Sequence, residues 1–286
     1  MQAAHRCVLR TMSPMPEAPE LETLKRQVEP FLPMRVESVS LRLERALRHP
    51  DSLPLESLVG ETFFKVTRSG KWLILHGSNH SLWVHLRMSG RLRWCDPADA
   101  LEKHTHASLR VSSSIGQSDL RFIDPRTFGE LRVLRPDAQL SKVTDVLDAK
   151  SAPHDGKPCS GNLAIKAVFL DQTRFVQGIG NYLADEVCHA ARIDPNTPSS
   201  SLSEAQWADL GQAASDCFEV FAKARGTALK DEGWKDLFGE LGGGGDLLKV
   251  HAKPKCGTCS GPVSKGKIAG RSSYWCQVCQ PAIKAL

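Results

Sequence analysis

The chain has 286 residues, of which 41% are hydrophobic and 24% charged, enough for two or three modest domains, each with its own core. No stretch approaches the roughly 20 apolar residues of a membrane-spanning helix, and residues 1–15 lack the continuous apolar block of a secretory signal. The net charge of +5 is unevenly placed: Leu247 to Leu286 carry six lysines and Arg271 but no acid, leaving 30 cations against 32 acids elsewhere. Such a cationic end favours polyanions, with binding that weakens as salt rises; a solubilising tail is the bland alternative.

In chain order, residues 1–15 read as an unstructured leader that is absent from the mature protein. A helix is expected from about Pro19, with Leu21, Leu24 and Val28 at helical spacing and Glu20 and Glu22 in its first turn, where proline and acids suit a helix start. From about Val36 to Leu134 the pattern is strand-rich. Leu82, Val84, Leu86 and Met88 alternate onto one face before a Ser89-Gly90 turn, and Leu120 to Val133 reads as a strand pair around Asp124-Pro125. Residues 136–161 read as a linker. Helices are expected near 163–171, 180–191, 203–213 and 215–224, with turns at Gly178-Ile179-Gly180 and Asp194-Pro195. A Gly242–Gly245 run reads as a flexible joint.

Nine cysteines are an odd number, and Cys7, Cys95, Cys159, Cys188 and Cys217 are scattered, which fits a reducing compartment better than a disulfide framework. The other four form two C-x2-C pairs, Cys256/Cys259 and Cys276/Cys279, separated by 16 residues. That spacing closes four thiolates around one tetrahedral Zn2+ with no open position, so the ion is structural. Two disulfides or a redox site are the alternatives. The segment between the pairs has room for a β-hairpin that would present Lys265, Lys267 and Arg271.

The segment Met15-Pro16-Glu17-Ala18-Pro19-Glu20-Leu21-Glu22-Thr23 resembles the start of the formamidopyrimidine-DNA glycosylases. The resemblance runs nearly to the C-terminus through Gly70-Lys71, His85 to Gly90, Lys103-His104, Asp124 to Gly129, Gly178 to Asn181 and Gly270-Arg271. It implies an α+β fold in which an N-terminal β-sandwich flanked by helices (16–135) and a linker (136–161) precede a helix–two-turns–helix domain (162–246). A zinc ribbon (247–286) closes the chain, and DNA lies in the cleft between the two main domains.

The same resemblance implies a base-excision enzyme that removes oxidised purines, 8-oxoguanine and formamidopyrimidines, and cuts the strand by β,δ-elimination. Pro16 is then the nucleophile. A secondary amine condensing with C1′ of the sugar gives a cationic iminium that acts as an electron sink. An α-amino group has a pKa of about 8, which the positive end of the following helix lowers. An internal proline is a tertiary amide with no lone pair to offer. Fourteen residues precede Met15, so the reading requires an internal start or trimming; a chain that keeps them is catalytically dead.

Other roles carry over by position. Glu17 is the general acid, although residue type alone makes it a surface acid. Lys71 contacts the lesion's phosphate and assists β-elimination, where the bland reading is a solvated lysine. Arg271 matches the catalytic arginine assigned to the δ-elimination step and mainly clamps flanking phosphates, since guanidinium is a poor proton donor. Met88, Arg126 and Phe128 fill the stack left by the flipped base; blandly, Met88 and Phe128 are core residues. His104, Lys166 and Asn181 hold DNA phosphates, and the free amides of Gly178 to Asn181 suit a phosphate oxygen.

Thr127 replaces a second arginine, Gly161-Asn162 replace a lysine-rich run, and the stretch after Gly226 is shorter and richer in glycine than the loop that covers 8-oxoguanine. The expected partner is double-stranded DNA with an oxidised base or abasic site, bound by a monomer in the bacterial cytosol, or in a nucleus or organelle if the source is eukaryotic. Two other functions remain open: an endonuclease VIII-like glycosylase for oxidised pyrimidines, and a damaged-DNA-binding protein without catalysis.

Overall fold

The computed structural model describes residues 16–138, 142–151, 162–228 and 234–282; the leader therefore lies outside the described residues. Helix α1 (Ala18–Val28) opens the fold. Its first turn is tied by the Glu17 amide donating to Glu20 Oε2 at 2.8 Å. Strands β1 (Met34–Leu41), β2 (Thr62–Phe63), β3 (Lys65–Ser69), β4 (Trp72–His76), β5 (Ser81–His85), β6 (Arg91–Cys95), β7 (Thr105–Ser113), β8 (Gly116–Ile123) and β9 (Glu130–Leu134) follow. They form two antiparallel sheets, ordered β2-β1-β7-β8-β6 and β3-β4-β5-β9.

The sheets share one core. Val36, Leu109, Val111, Leu120 and Phe122 of the first pack with Leu73, Leu75, Leu82, Val84, Leu131 and Val133 of the second, the two-residue period of strands that are each buried on one face. Leu21, Leu24 and Val28 of α1 join this core, whereas Ala18, one turn earlier, belongs to the helical core. The start of α1 thus lies at the seam between the two domains. Arg68 on β3 fastens the seam. It makes a two-pronged pair with Asp145 at 2.6 and 2.7 Å and reaches Glu22 at 3.3 Å.

The helical domain comprises α2 (Ile165–Leu170), α3 (Asn181–Ala190) and α4 (Glu204–Lys223). The two helices expected at 203–213 and 215–224 are one, capped by Ser203, whose Oγ accepts the Gln206 amide at 3.3 Å. The C-terminal hairpin pairs β10 (Val263–Ile268) with β11 (Arg271–Cys276). It docks on α3, where the Glu186 carboxylate accepts the amides of Lys249, Val250 and His251 at 2.8–3.0 Å.

Further sequence expectations are corrected. The strand expected to run to Met88 ends at His85, because the Leu86 carbonyl turns to accept the Gly90 amide at 2.9 Å. The Leu120–Val133 pair is not a pair: β8 joins β6 and β7 while β9 joins β5, so residues 124–129 cross between sheets. Within the expected linker, Val146 and Ala149 are fully buried in the helical core.

The glycine run, finally, is not a joint. A Cβ on Gly242 would lie 2.4 Å from the Gly226 carbonyl oxygen and one on Gly245 2.2 Å from that of Ala228, so glycine is required for backbone contact. Just before it, Trp234 and Leu237 enter the sandwich core, and the Leu237 carbonyl accepts the Trp94 amide at 2.9 Å. This stretch, expected to belong to the helical domain, instead reaches back to the first.

Candidate active site

Pro16 is buried at the mouth of α1, and Glu17 beside it is only 1% exposed. The Glu17 carboxylate accepts three amides from the start of α3: Gly180 at 2.8 Å, Tyr182 at 3.0 Å and Leu183 at 3.2 Å. Gly180 is required here, because a Cβ would sit 2.2 Å from the Glu17 carboxyl carbon. Of the Gly178 to Asn181 amides expected to suit a phosphate oxygen, that of Gly180 is among these three. All three are instead committed to a carboxylate, which the positive end of α3 stabilises as it would a bound anion. The Gly178 amide is also taken, by Gln172 Oε1 at 2.9 Å. The buried Asn181 Oδ1 has no hydrogen-bond partner among the described residues.

Burial pushes the Glu17 carboxyl above its ordinary pKa, against the pull of the Lys71 ammonium and the Tyr182 and Leu183 amides. Lys71 is pushed down, chiefly by burial and further by Arg271, with Glu17 opposing. These mutual effects place Glu17, Lys71 and Arg271 in one electrostatic cluster, although Arg271 comes from the ribbon and Lys71 from the turn between β3 and β4. Arg87 also acts on Lys71, and His85 is driven down to about 3 by burial and by Arg87, Lys71 and Arg132, so its ring is neutral.

Glu20 is the residue that sequence reasoning passed over as a helix-start acid. It is buried, accepts the Thr227 amide at 2.7 Å and the Tyr182 hydroxyl at 3.1 Å, and burial with the Glu17 charge raises its pKa to about 8. The signal was available: acids three apart at a helix start can cap it reciprocally. Because its pKa is raised on folding from about 4.5 to about 8, its contribution to stability is present below the unfolded value and lost as pH rises through the folded one. Thermal unfolding of Glu20→Gln protein is therefore expected to lose part of the wild-type decline in melting temperature between about pH 5 and pH 8; identical slopes would contradict the assignment.

A second group lies on two loops held by one carboxylate. Asp124 is fully buried. It accepts the Ser89 hydroxyl, the Arg126 amide at 3.2 Å and the Gly129 amide at 2.6 Å, so it fixes the turn bearing Met88 and the loop bearing Arg126 and Phe128 relative to each other. Phe128 is 41% exposed, with the Arg126 guanidinium 4.9 Å from its ring centre, and Met88 is half-buried. None of the three is a core residue. His104 is exposed, and its carbonyl accepts the Asp124 amide at 3.0 Å.

Lys166 does not sit where a phosphate could reach it. It is 0% exposed, and its Nζ lies 2.7 Å from Asp185 Oδ1 and 3.0 Å from the Ser272 carbonyl. Asp185 in turn meets His251 Nδ1 at 2.7 Å. The lysine joins α2, α3 and the ribbon, and a buried charge is tolerated there because it is paired.

The sulfurs of Cys256, Cys259, Cys276 and Cys279 lie within 4.8 Å of one another, with close pairs at 3.4 and 3.8 Å. Four sulfurs around a metal at about 2.3 Å would stand about 3.8 Å apart. The donor set fits a metal ion.

Residues 15–131 match the formamidopyrimidine-DNA glycosylase N-terminal domain and residues 146–231 the helix–two-turns–helix domain of the same enzymes. A formamidopyrimidine-DNA glycosylase from Desulforamulus reducens is 35% identical, covering 94% of this chain and 100% of that protein. Two Lactococcus lactis structures, a variant bound to Fapy-dG-containing DNA and a complex with abasic-site DNA, superpose with a TM-score of 0.81 at 27% identity, each over 93% of this chain and 100% of that one. On these matches the chain belongs to the formamidopyrimidine-DNA glycosylase family and is a DNA-repair glycosylase.

Proposed function

We propose that the enzyme excises oxidised purines, 8-oxoguanine and formamidopyrimidines, from duplex DNA and cuts the strand through a Schiff base at Pro16. The observation that carries this reading is the buried Glu17, fixed beside Pro16 by three amides of α3 and electrostatically joined to Lys71 and Arg271. The Lactococcus lactis relatives crystallised with Fapy-dG and abasic-site DNA point the same way.

DNA lies across the seam, with the target nucleotide flipped toward Pro16. The proline nitrogen bonds to C1′ as the base leaves, and Glu17, held above its ordinary pKa, supplies a proton to the ring oxygen or the departing base. The nitrogen gives up its N–H proton and the C1′–O4′ bond breaks to leave the iminium, which acidifies the C2′ proton. Lys71, held below its ordinary pKa, sits at the lesion's phosphate and assists that elimination, while Arg271 clamps the flanking phosphates. Met88 and Phe128 fill the vacated stack, Arg126 hydrogen-bonds the orphaned base, and His104 and Asn181 grip the backbone. A zinc ion in the four-cysteine site stiffens the ribbon that carries Arg271. The protein acts as a monomer.

Rates of base excision from matched duplexes carrying 8-oxoguanine or thymine glycol test the substrate class. The purine lesion is expected to be processed faster by at least about tenfold, roughly 1.4 kcal/mol of discrimination. Preference for thymine glycol would reassign the enzyme to oxidised pyrimidines.

A further inference from the structure

On the last turn of α3, His189 is only 7% exposed, and its Nε2 lies 3.3 Å from Cys256 Sγ. The four sulfurs form a closed set without it, so the imidazole approaches one thiolate from outside the tetrahedron and is not a fifth ligand. Resting on the reading of the four-cysteine cluster as metal-bound, we infer that His189 donates a hydrogen bond to the Cys256 thiolate and so controls how firmly the ribbon keeps its metal.

A metal-bound thiolate has no proton to give, so the shared hydrogen belongs to Nε2 and the ring is the donor. Four thiolates around a divalent ion leave two net negative charges. Cys256 and Cys276 carry their share in the most enclosed part of the cluster, at 2% and 0% exposure. Each N–H directed at a sulfur offsets part of that charge. Cys256 also accepts the Thr258 amide at 3.4 Å, and Cys259 accepts the Gly261 amide at 3.4 Å. Those two donors come from the metal-binding loops themselves, whereas His189 comes from a helix outside the ribbon.

The donor is held in place by the docking around it. Gln280 accepts the Cys276 amide at 2.9 Å and donates to the Ile193 carbonyl at 2.9 Å, which fixes the second cysteine pair to the chain just beyond α3. The start of the same helix provides the amides that hold Glu17. Loss of the metal would therefore loosen a support of α3 as well as the hairpin bearing Arg271.

The test uses full-length, zinc-loaded protein and measures zinc transfer to a chromogenic chelator, with metal content and thermal unfolding recorded first. His189→Phe and His189→Leu remove the donor; His189→Gln keeps an N–H. Outer-sphere partners of metal ligands typically contribute about 10–100-fold to affinity, so both donor-less variants are expected to release zinc about 10–100-fold faster, and the glutamine variant within about threefold of wild type. Release at one common rate by all three variants, whether slow or fast, would overturn the hydrogen-bond role. Wild-type protein with no bound metal would instead overturn the metal reading beneath it.

Discussion

Protein whose chain begins at Pro16 is expected to be trapped by borohydride on abasic-site DNA, whereas protein that retains residues 1–15 forms no adduct. The nitrogen must carry a lone pair to attack C1′, and acylation by Met15 turns it into a tertiary amide. The expected loss of strand cleavage is on the order of 10^4-fold or more, the scale on which enzymes fail when a catalytic nucleophile is removed. The N-terminus of each preparation is read by mass spectrometry before the assay. Equal trapping by the two forms would move the nucleophile to another side chain, Lys71, which acts electrostatically on Glu17, being a candidate amine. The fixed start of α1, where the Glu17 amide donates to Glu20 Oε2 at 2.8 Å, gives the attacking nitrogen a defined position, which is where much of the benefit of intramolecular attack arises.

Glu17→Gln is expected to separate the two steps of the reaction. Excision of the base should fall by about 10^2 to 10^4-fold, the usual worth of a positioned proton donor. Cleavage at a preformed abasic site should fall far less where the proton's destination is the departing base, because no base remains there to be protonated. The amide keeps one acceptor oxygen for the α3 amides that now bind the carboxylate at 2.8–3.2 Å, and its NH2 group turns two donors toward each other there. Some loss of stability is therefore expected, and both assays are normalised to folded protein. A variant that loses both activities in equal proportion would show that Glu17 acts mainly by holding α1 to α3. That outcome would leave Glu20, pushed up to about 8, as the remaining proton donor at the seam.

The two carboxyls show why proximity in sequence is a poor guide to chemistry. Both are buried and three residues apart on the same helix start. Glu17 is ringed by amides of α3, whereas Glu20 faces a tyrosine hydroxyl and the Thr227 amide. The same turn thus holds one acid beside Pro16 and another tying the helical domain to α1.

Local spacing was sufficient for the features that depend on neighbours along the chain. The Cys256/Cys259 and Cys276/Cys279 pairs can close on one ion because each lies on a tight turn, and the Leu21–Leu24–Val28 stripe makes a helix with one buried face wherever that helix packs. The alternation through Leu82 and Val84 likewise fixed a strand, though not its end. Only the tertiary structure decided what is set by contacts between distant residues. Lys166 reads from sequence as a phosphate ligand and is instead consumed by Asp185, and the amides of Gly180, Tyr182 and Leu183 serve Glu17 more than 160 positions away. The glycine run became a close-packed seam, and β8 and β9 went to different sheets. A backbone N–H is normally spent on one acceptor, and that acceptor is chosen by three-dimensional proximity, which residue spacing along the chain does not encode.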